Sequence, residues 1–203
     1  TGAINDLPNE YKDEVGSLMR NARNTAINHD RSMKEVKHAS EIDALTGLYN
    51  RRFSSDRLQQ DLARSNRTQV PVSMNLIDVD DFRAINNSHG TAVGDACLRH
   101  VSNVAASSIR DGDWMGRWGA DEFVIVLWGA DSEIAEAVIW RIKRNLAASE
   151  LAHEAGIKLT ASYGFATHHP GQLNFEFAAN VSTALSTAKR LGTNQVWGES
   201  MIR

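Results

Sequence analysis

The chain has 203 residues, a formal net charge of −3 and 42% hydrophobic residues, enough for one domain of ordinary size plus an appendage. Its 22 basic residues are scattered among 25 acidic ones, which excludes the basic face that polymeric DNA or RNA requires. No apolar run approaches about 18 residues, so no membrane contact is expected from this stretch.

The single cysteine, Cys97, allows no internal disulfide and fits a reducing, cytoplasmic compartment with the thiol in the core. No secretory leader is visible. The start at Thr1-Gly2-Ala3, without Met, reads as an internal boundary, leaving room for flanking anchors or domains.

From Pro8 to about residue 42 the chain reads as one polar helix, with Tyr11, Val15, Leu18 and Ala22 at heptad-like spacing. The stripe decays at Thr25 and His29. A helix so long and polar does not fold alone in water. It is expected either to pair with a copy of itself as a dimerising or signal-carrying stalk, or to run as a solvated linker. Residues 1–41 are therefore assigned to an N-terminal helix and 42–203 to a globular domain.

In that domain a helix over Arg52–Ala63 leads to a strand over Val72–Ile77. Ala92–Ile109 carries Leu98, Val101, Ala105 and Ile109 on one helical face. A hairpin turns at Gly119-Ala120 and enters the apolar strand Val124–Trp128. A helix follows, with Ile134, Val138, Ile142 and Leu146 inward. Ile157, Leu159, Ala161, Tyr163 and Phe165 alternate as a half-buried strand. A helix with Phe177, Val181, Leu185 and Ala188 precedes a short strand at Gln195–Trp197. The interleaving, with one hairpin, predicts an α+β, ferredoxin-like sandwich around a central mixed sheet flanked by helices. His168-His169-Pro170 reads as a loop, and the five tryptophans as core and interface anchors.

Two acidic clusters stand at strand ends: Asp78-Val79-Asp80-Asp81, and Asp121-Glu122 on the hairpin turn. Carboxylates on neighbouring strand ends suit Mg²⁺, which takes a few oxygen ligands plus substrate phosphates. Such ions would neutralise a triphosphate and activate a hydroxyl for in-line displacement. Asn86 and Asp95 offer donors and acceptors for a purine edge. Lys189 is placed to reach phosphates as a point charge.

These clusters sit in motifs that resemble the GGDEF family, the diguanylate cyclases, over about residues 42–198. Asp43-Ala44-Leu45-Thr46-Gly47-Leu48-Tyr49-Asn50-Arg51-Arg52 is similar to DxLTGLxNRR. Asp78 to Asn86 resembles DxDxFKxxN, with Gly94-Asp95 as the following GD. Arg117-Trp118-Gly119-Ala120-Asp121-Glu122-Phe123 stands for RYGGDEF. Ser162 to Ala166 resembles SxGxA, and Ala188-Lys189 the AK near the end.

The resemblance implies a palm-type nucleotidyl cyclase fold and condensation of two GTP into cyclic di-GMP and two pyrophosphates across a homodimer. It implies Mg²⁺ or Mn²⁺ held by Asp78, the Val79 carbonyl, Asp121 and Glu122. Glu122 would bind metal or activate the 3′-hydroxyl. Phe82, Arg83, Gly119, Ala120 and Lys189 would lie along the nucleotide, with Asn86 and Asp95 on guanine. Arg110-Asp111-Gly112-Asp113 fits RxxD, the family's inhibitory site for cyclic di-GMP, at Arg110 and Asp113.

Departures bear on activity. Ala120 replaces the second signature glycine; a left-handed backbone there would strain the turn by roughly 1–2 kcal/mol. Thr193 stands where an arginine usually meets the triphosphate, a contact worth roughly 1.5–3 kcal/mol. Arg83 replaces lysine, Thr91 histidine, Asn87 aspartate, and Ser182 and Ser186 an aspartate and a tyrosine. The alternative expectation is a catalytically weak or silent module that binds GTP or cyclic di-GMP.

Overall fold

Eight consecutive buried residues, Val72–Val79, form the central strand β1, and a strand covered on both faces dictates helices on both sides of its sheet. The computed structural model describes residues 17–28, 41–148, 157, 159–198 and 201. The chain divides into two compact units, Thr1–Ile42 and Asp43–Arg203. In the first, residues 17–28 are helical, Leu18 is exposed, and the Arg20 guanidinium donates to Ser17 Oγ at 3.0 Å. Residues 41 and 42 are a turn and a bridge, so the expected helix does not reach 42. Its remaining span lies outside the described residues.

The second unit runs α1 (Arg51–Thr68), β1, α2 (Phe82–His89), α3 (Thr91–Ala106), β2 (Trp114–Arg117), β3 (Glu122–Trp128), α4 (Ser132–Ala147), β4 (Ala161–His168), α5 (Asn174–Leu191) and β5 (Val196–Gly198). Strand order is β2-β3-β1-β4-β5, with β1 antiparallel to β3 and β4, and β5 parallel to β4. This is the α+β architecture with a mixed sheet that the sequence predicts. Ile77, Phe123, Ile125, Tyr163 and Phe165 meet Leu98 and Val101 of α3 and Ile139 and Ile142 of α4 on one face. Met74, Leu76, Val124 and Val126 meet Leu58 and Leu62 of α1 and Phe177 and Val181 of α5 on the other.

Four expectations change, the first being Ile134, expected inward with Val138 but 44% exposed in the first turn of α4. The alternating stretch from Ile157 becomes a strand only at Ala161, and β4 is buried along its whole length rather than on one face. Ile157 and Leu159 still enter the core from outside the strand. His168 is no loop residue: it closes β4, fully buried, with Nδ1 3.3 Å from Ser65 Oγ and Nε2 3.2 Å from the Gln172 carbonyl. Trp140 is half exposed beneath Lys143 rather than a core anchor.

The close approach of α5 to β4 rests on Gly164. A Cβ there would fall 2.2 Å from Leu185 N and 2.5 Å from Leu185 Cα, both backbone atoms. We expect Gly164→Ala to destabilise the domain by about 2–3 kcal/mol or more, read as a lowered denaturant midpoint. An unchanged midpoint would mean that this helix can move away from the sheet.

Candidate functional site

The hairpin turn is built by one guanidinium. Arg117 ends β2 and points along the turn, where Nε donates to the Gly119 carbonyl at 3.2 Å and Nη2 to the Ala120 carbonyl at 2.7 Å. Its Nη1 reaches Asp43 Oδ1 at 3.1 Å and Oδ2 at 3.3 Å. Asp43 also accepts from the Thr46 backbone and hydroxyl at 3.0 and 2.8 Å. The Arg117 amide donates to the Tyr49 carbonyl at 2.7 Å. The Asp43–Arg52 motif is thus a strut for the turn.

The two residues of the turn differ in what they tolerate. A Cβ on Gly119 would meet Glu122 Oε2 at 2.7 Å and Glu122 Cβ at 3.2 Å, so glycine there makes room for the Glu122 side chain. Ala120 is exposed, and the left-handed non-glycine positions among the described residues are Gln69, Asp81 and Asn194. Ala120 is therefore unstrained, and the expected penalty does not arise.

β1 delivers its carboxylates beside this turn. Asp78 pairs with Glu122 across the β1–β3 ladder, and the Val79 amide donates to the Asp121 carbonyl at 3.0 Å. A cavity of about 390 Å³ opens there, lined by Asp78, Val79, Asp80, Asp81, Phe82, Arg83 and Asp121, and by Lys189, Gly192 and Thr193. Lys189 Nζ lies 2.6 Å from Asp78 Oδ2. Burial pushes the Asp78 carboxyl above its ordinary value despite Lys189, and the charges of Asp121 and Glu122 add to the rise. Burial acts to lower the Lys189 ammonium, but the three carboxylates prevail and hold it above its ordinary value.

Asp78, Val79, Phe82, Arg83, Asp121 and Lys189 are thus brought together as the sequence expects, with Glu122 paired to Asp78 just outside the wall. Gly119 and Ala120 do not line the cavity; they shape the turn. Asn86 and Asp95 also lie off the wall, on α2 and α3. The chain turns between them at Gly90, which ends α2 and begins α3. Asn86 Oδ1 is buried without a hydrogen-bond partner, and a Cβ on Gly94 would sit 1.8 Å from it. Glycine at 94 therefore leaves the slot for the Asn86 amide.

Asp80 was legible only as part of a motif. Its Oδ1 accepts from Ser162 Oγ at 2.7 Å, and its Oδ2 from Thr160 Oγ1 at 2.7 Å and the Asn194 amide at 2.6 Å. It ties β1, β4 and the loop after α5, which carries Thr193, into one corner.

Among the described residues no three acidic, His or Cys side chains surround a common point as a finished cation cage. Mg²⁺ seldom uses such a cage; it takes one or two carboxylates and completes its shell with water and phosphate. Three carboxylates at one mouth, with an ammonium already drawn onto them, fit that mode.

Arg110 and Asp113 also meet. Arg110 Nε is 3.4 Å from Asp113 Oδ2, Arg110 Nη2 donates to the Trp128 carbonyl at 2.6 Å, and the Trp128 amide donates to Asp113 Oδ1 at 3.1 Å. The Arg110 side chain is 61% exposed. This pair sits at the far end of β3 from Glu122, about 20 Å along the strand.

Two tests address the turn. Ala120→Gly should lower stability by about 0.4–1 kcal/mol through unfolded-chain entropy; a higher urea midpoint would reveal strain. For Asp43, burial raises its carboxyl, but hydrogen bonds from Thr46 and Arg117 and the Arg117 charge outweigh it and hold the group below its ordinary 3.8. Its contribution is complete above the unfolded value and fades as pH falls through the lowered folded one. Asp43→Asn should cost about 1 kcal/mol at pH 7 and converge with the native chain once pH falls below the lowered folded value. A gap that persists in acid would contradict the ion pair.

A family model described as diguanylate cyclase, GGDEF domain, matches residues 40–195. Diguanylate cyclase DosC of Escherichia coli strain K12 is 36% identical over 170 residues, which is 81% of this chain and 37% of that protein. Diguanylate cyclase DgcP of Pseudomonas aeruginosa is 30% identical over 169 residues, 81% of this chain and 25% of that protein. The chain therefore spans well under half the length of these relatives. The coiled coil and GGDEF domain of DgcB from Caulobacter crescentus, in complex with c-di-GMP, shares the fold with a TM-score of 0.85 at 20% identity, covering 92% of this chain and 100% of that one. The active GGEEF domain of a diguanylate cyclase from Vibrio cholerae superposes with a TM-score of 0.70 at 30% identity, covering 74% and 97%. Since the match extends across the strand-end carboxylates, the Arg117 turn and α5, this chain belongs to the GGDEF family of diguanylate cyclase domains.

Proposed function

We propose that the chain condenses two GTP into cyclic di-GMP with release of two pyrophosphates. The observation that carries this is the cavity itself: its wall combines the carboxylates Asp78 and Asp121 with the cations Arg83 and Lys189, the last already on Asp78, around a volume suited to a nucleotide. Names of the relatives support the same reading. Arg83 and Lys189 grip the triphosphate, Phe82 lies along it, and Asn86 and Asp95 read the guanine edge. Asp78, the Val79 carbonyl, Asp121 and Glu122 would hold Mg²⁺ or Mn²⁺. When bound, that ion neutralises the triphosphate and makes the 3′-hydroxyl a better nucleophile. Glu122 either completes the metal shell or takes the hydroxyl proton.

One domain holds one GTP, so each 3′-oxygen must reach the α-phosphorus on a facing copy, and pyrophosphate leaves in line. This requires a homodimer, for which the 1–41 helix ahead of the 42–203 domain is the proposed means, in the cytoplasm where GTP is supplied. The exposed Arg110, paired to Asp113, is the proposed seat of product inhibition. Thr193 on the cavity wall favours a second reading, a weak or silent domain that senses GTP or cyclic di-GMP.

The test is formation of pyrophosphate and cyclic di-GMP from GTP and Mg²⁺, at high protein concentration after bound product has been stripped. Product is expected, and Asp121→Ala should abolish it; unchanged turnover in that variant sinks the active-site assignment. Arg110→Ala should relieve inhibition by added cyclic di-GMP, and an unchanged inhibition curve retires that site. A dimeric sample that binds nucleotide without product supports the sensor.

A further inference from the structure

The Lys189–Asp78 ion pair sets two cations in competition for one oxygen. Lys189 Nζ is 2.6 Å from Asp78 Oδ2, and the Asp78 side chain is 6% exposed against 48% for Lys189. A divalent ion ligated by that oxygen would stand at about 2.0–2.1 Å from it. Ammonium and metal ion cannot both hold the oxygen at those distances without strong repulsion.

The backbone beneath Lys189 has little freedom. α5 is pressed onto β4 at Gly164, and the loop after α5 is fixed by the Asn194 amide on Asp80 Oδ2 at 2.6 Å and by Lys143 on the Asn194 carbonyl. The four-carbon side chain has rotatable bonds that the fixed backbone lacks, and its head is half in water. Gly192 and Thr193 form the adjacent lip, so a polyphosphate entering the cavity passes within its reach. Thr193 brings no charge to that lip. Arg83 and Lys189 are the only cations that the described residues contribute to the cavity wall.

We propose that Lys189 is a two-position switch that guards Asp78 against free divalent cations and releases it only when a nucleoside triphosphate offers the ammonium another anion. Metal and nucleotide then load together. The inference rests on reading Asp78 as a metal ligand, but not on turnover.

The test is Mn²⁺ binding by the full chain, followed as loss of the free-ion electron paramagnetic resonance signal, without nucleotide and then with GTP. Lys189→Met should bind Mn²⁺ alone about 3- to 30-fold more tightly, and Mn²⁺–GTP about tenfold or more weakly. A residue that merely supported the fold would move both affinities the same way. Lys189→Arg, which keeps the charge, should restore near-native affinity for Mn²⁺ alone. Adding Asp78→Asn to Lys189→Met should erase the tightening. Unchanged or weaker binding of Mn²⁺ alone in Lys189→Met overturns the switch, and so does tightening that survives loss of the Asp78 carboxylate. A native chain that forms no product yet shows the opposite-signed pair of shifts upholds the switch and retires only the cyclase reading.

Discussion

The geometry of the candidate site depends on the Arg117 guanidinium. Two of its nitrogens face carbonyls of the turn, and a third faces the Asp43 carboxylate. Only arginine presents donors in a planar fork of that reach; lysine would satisfy one partner and leave the others to water. The sheet places Glu122 opposite Asp78 and ties the Asp121 carbonyl to the Val79 amide. Because β2 is an edge strand, its outer side is braced from elsewhere, by the strut from Asp43, itself held by Thr46. The turn that carries Asp121 and Glu122 thus also leans on residues almost 80 positions earlier in the chain.

Two aspartates only two residues apart, Asp78 on β1 and Asp80 just past its end, meet opposite fates. Asp80 is surrounded by neutral donors, two hydroxyls and one amide, and holds β1, β4 and the α5–β5 loop together. Among the described residues Asp78 takes one half-exposed ammonium as its partner, and two further carboxylates lie within electrostatic reach. A buried carboxylate with a full set of fixed donors is architecture. One met by an exposed cation and by like charges keeps acceptor capacity for another ligand. The same separation appears on the turn, where Gly119 accommodates Glu122 while Ala120 faces solvent.

Much of this was legible because core periodicity and motif spacing are local. Leu98, Val101 and Ala105, or Val138, Ile142 and Leu146, announce helical faces, and both are buried. What escaped was non-local or lacked a stripe. Helix α2 is only eight residues long, so the Phe82–Ile85 pair has no further turns over which a stripe could repeat. β4 mixes small and polar residues and is covered by α4 on one side and α5 on the other, so alternation suggests an exposed face that does not exist. The role of Asp80 requires Thr160, Ser162 and Asn194 to converge from distant segments. The backbone at Ala120 is a dihedral angle, which a glycine-for-alanine comparison cannot supply.

That last point narrows what the variant signature can mean. A turn held by Arg117 through carbonyl oxygens accepts any residue of ordinary backbone conformation at 120, since carbonyls are common to all of them. The side chain that matters is the missing one at 119, where Glu122 approaches within 2.7 Å of a Cβ position. The signature's second residue is therefore free to vary as far as the turn is concerned. Among the remaining departures, Arg83 and Thr193 stand on the cavity wall, and Thr193 is the one that changes its charge. There an uncharged side chain leaves Arg83 and Lys189 as the cations that the described residues contribute to the cavity wall, and Lys189 is already committed to the Asp78 carboxylate.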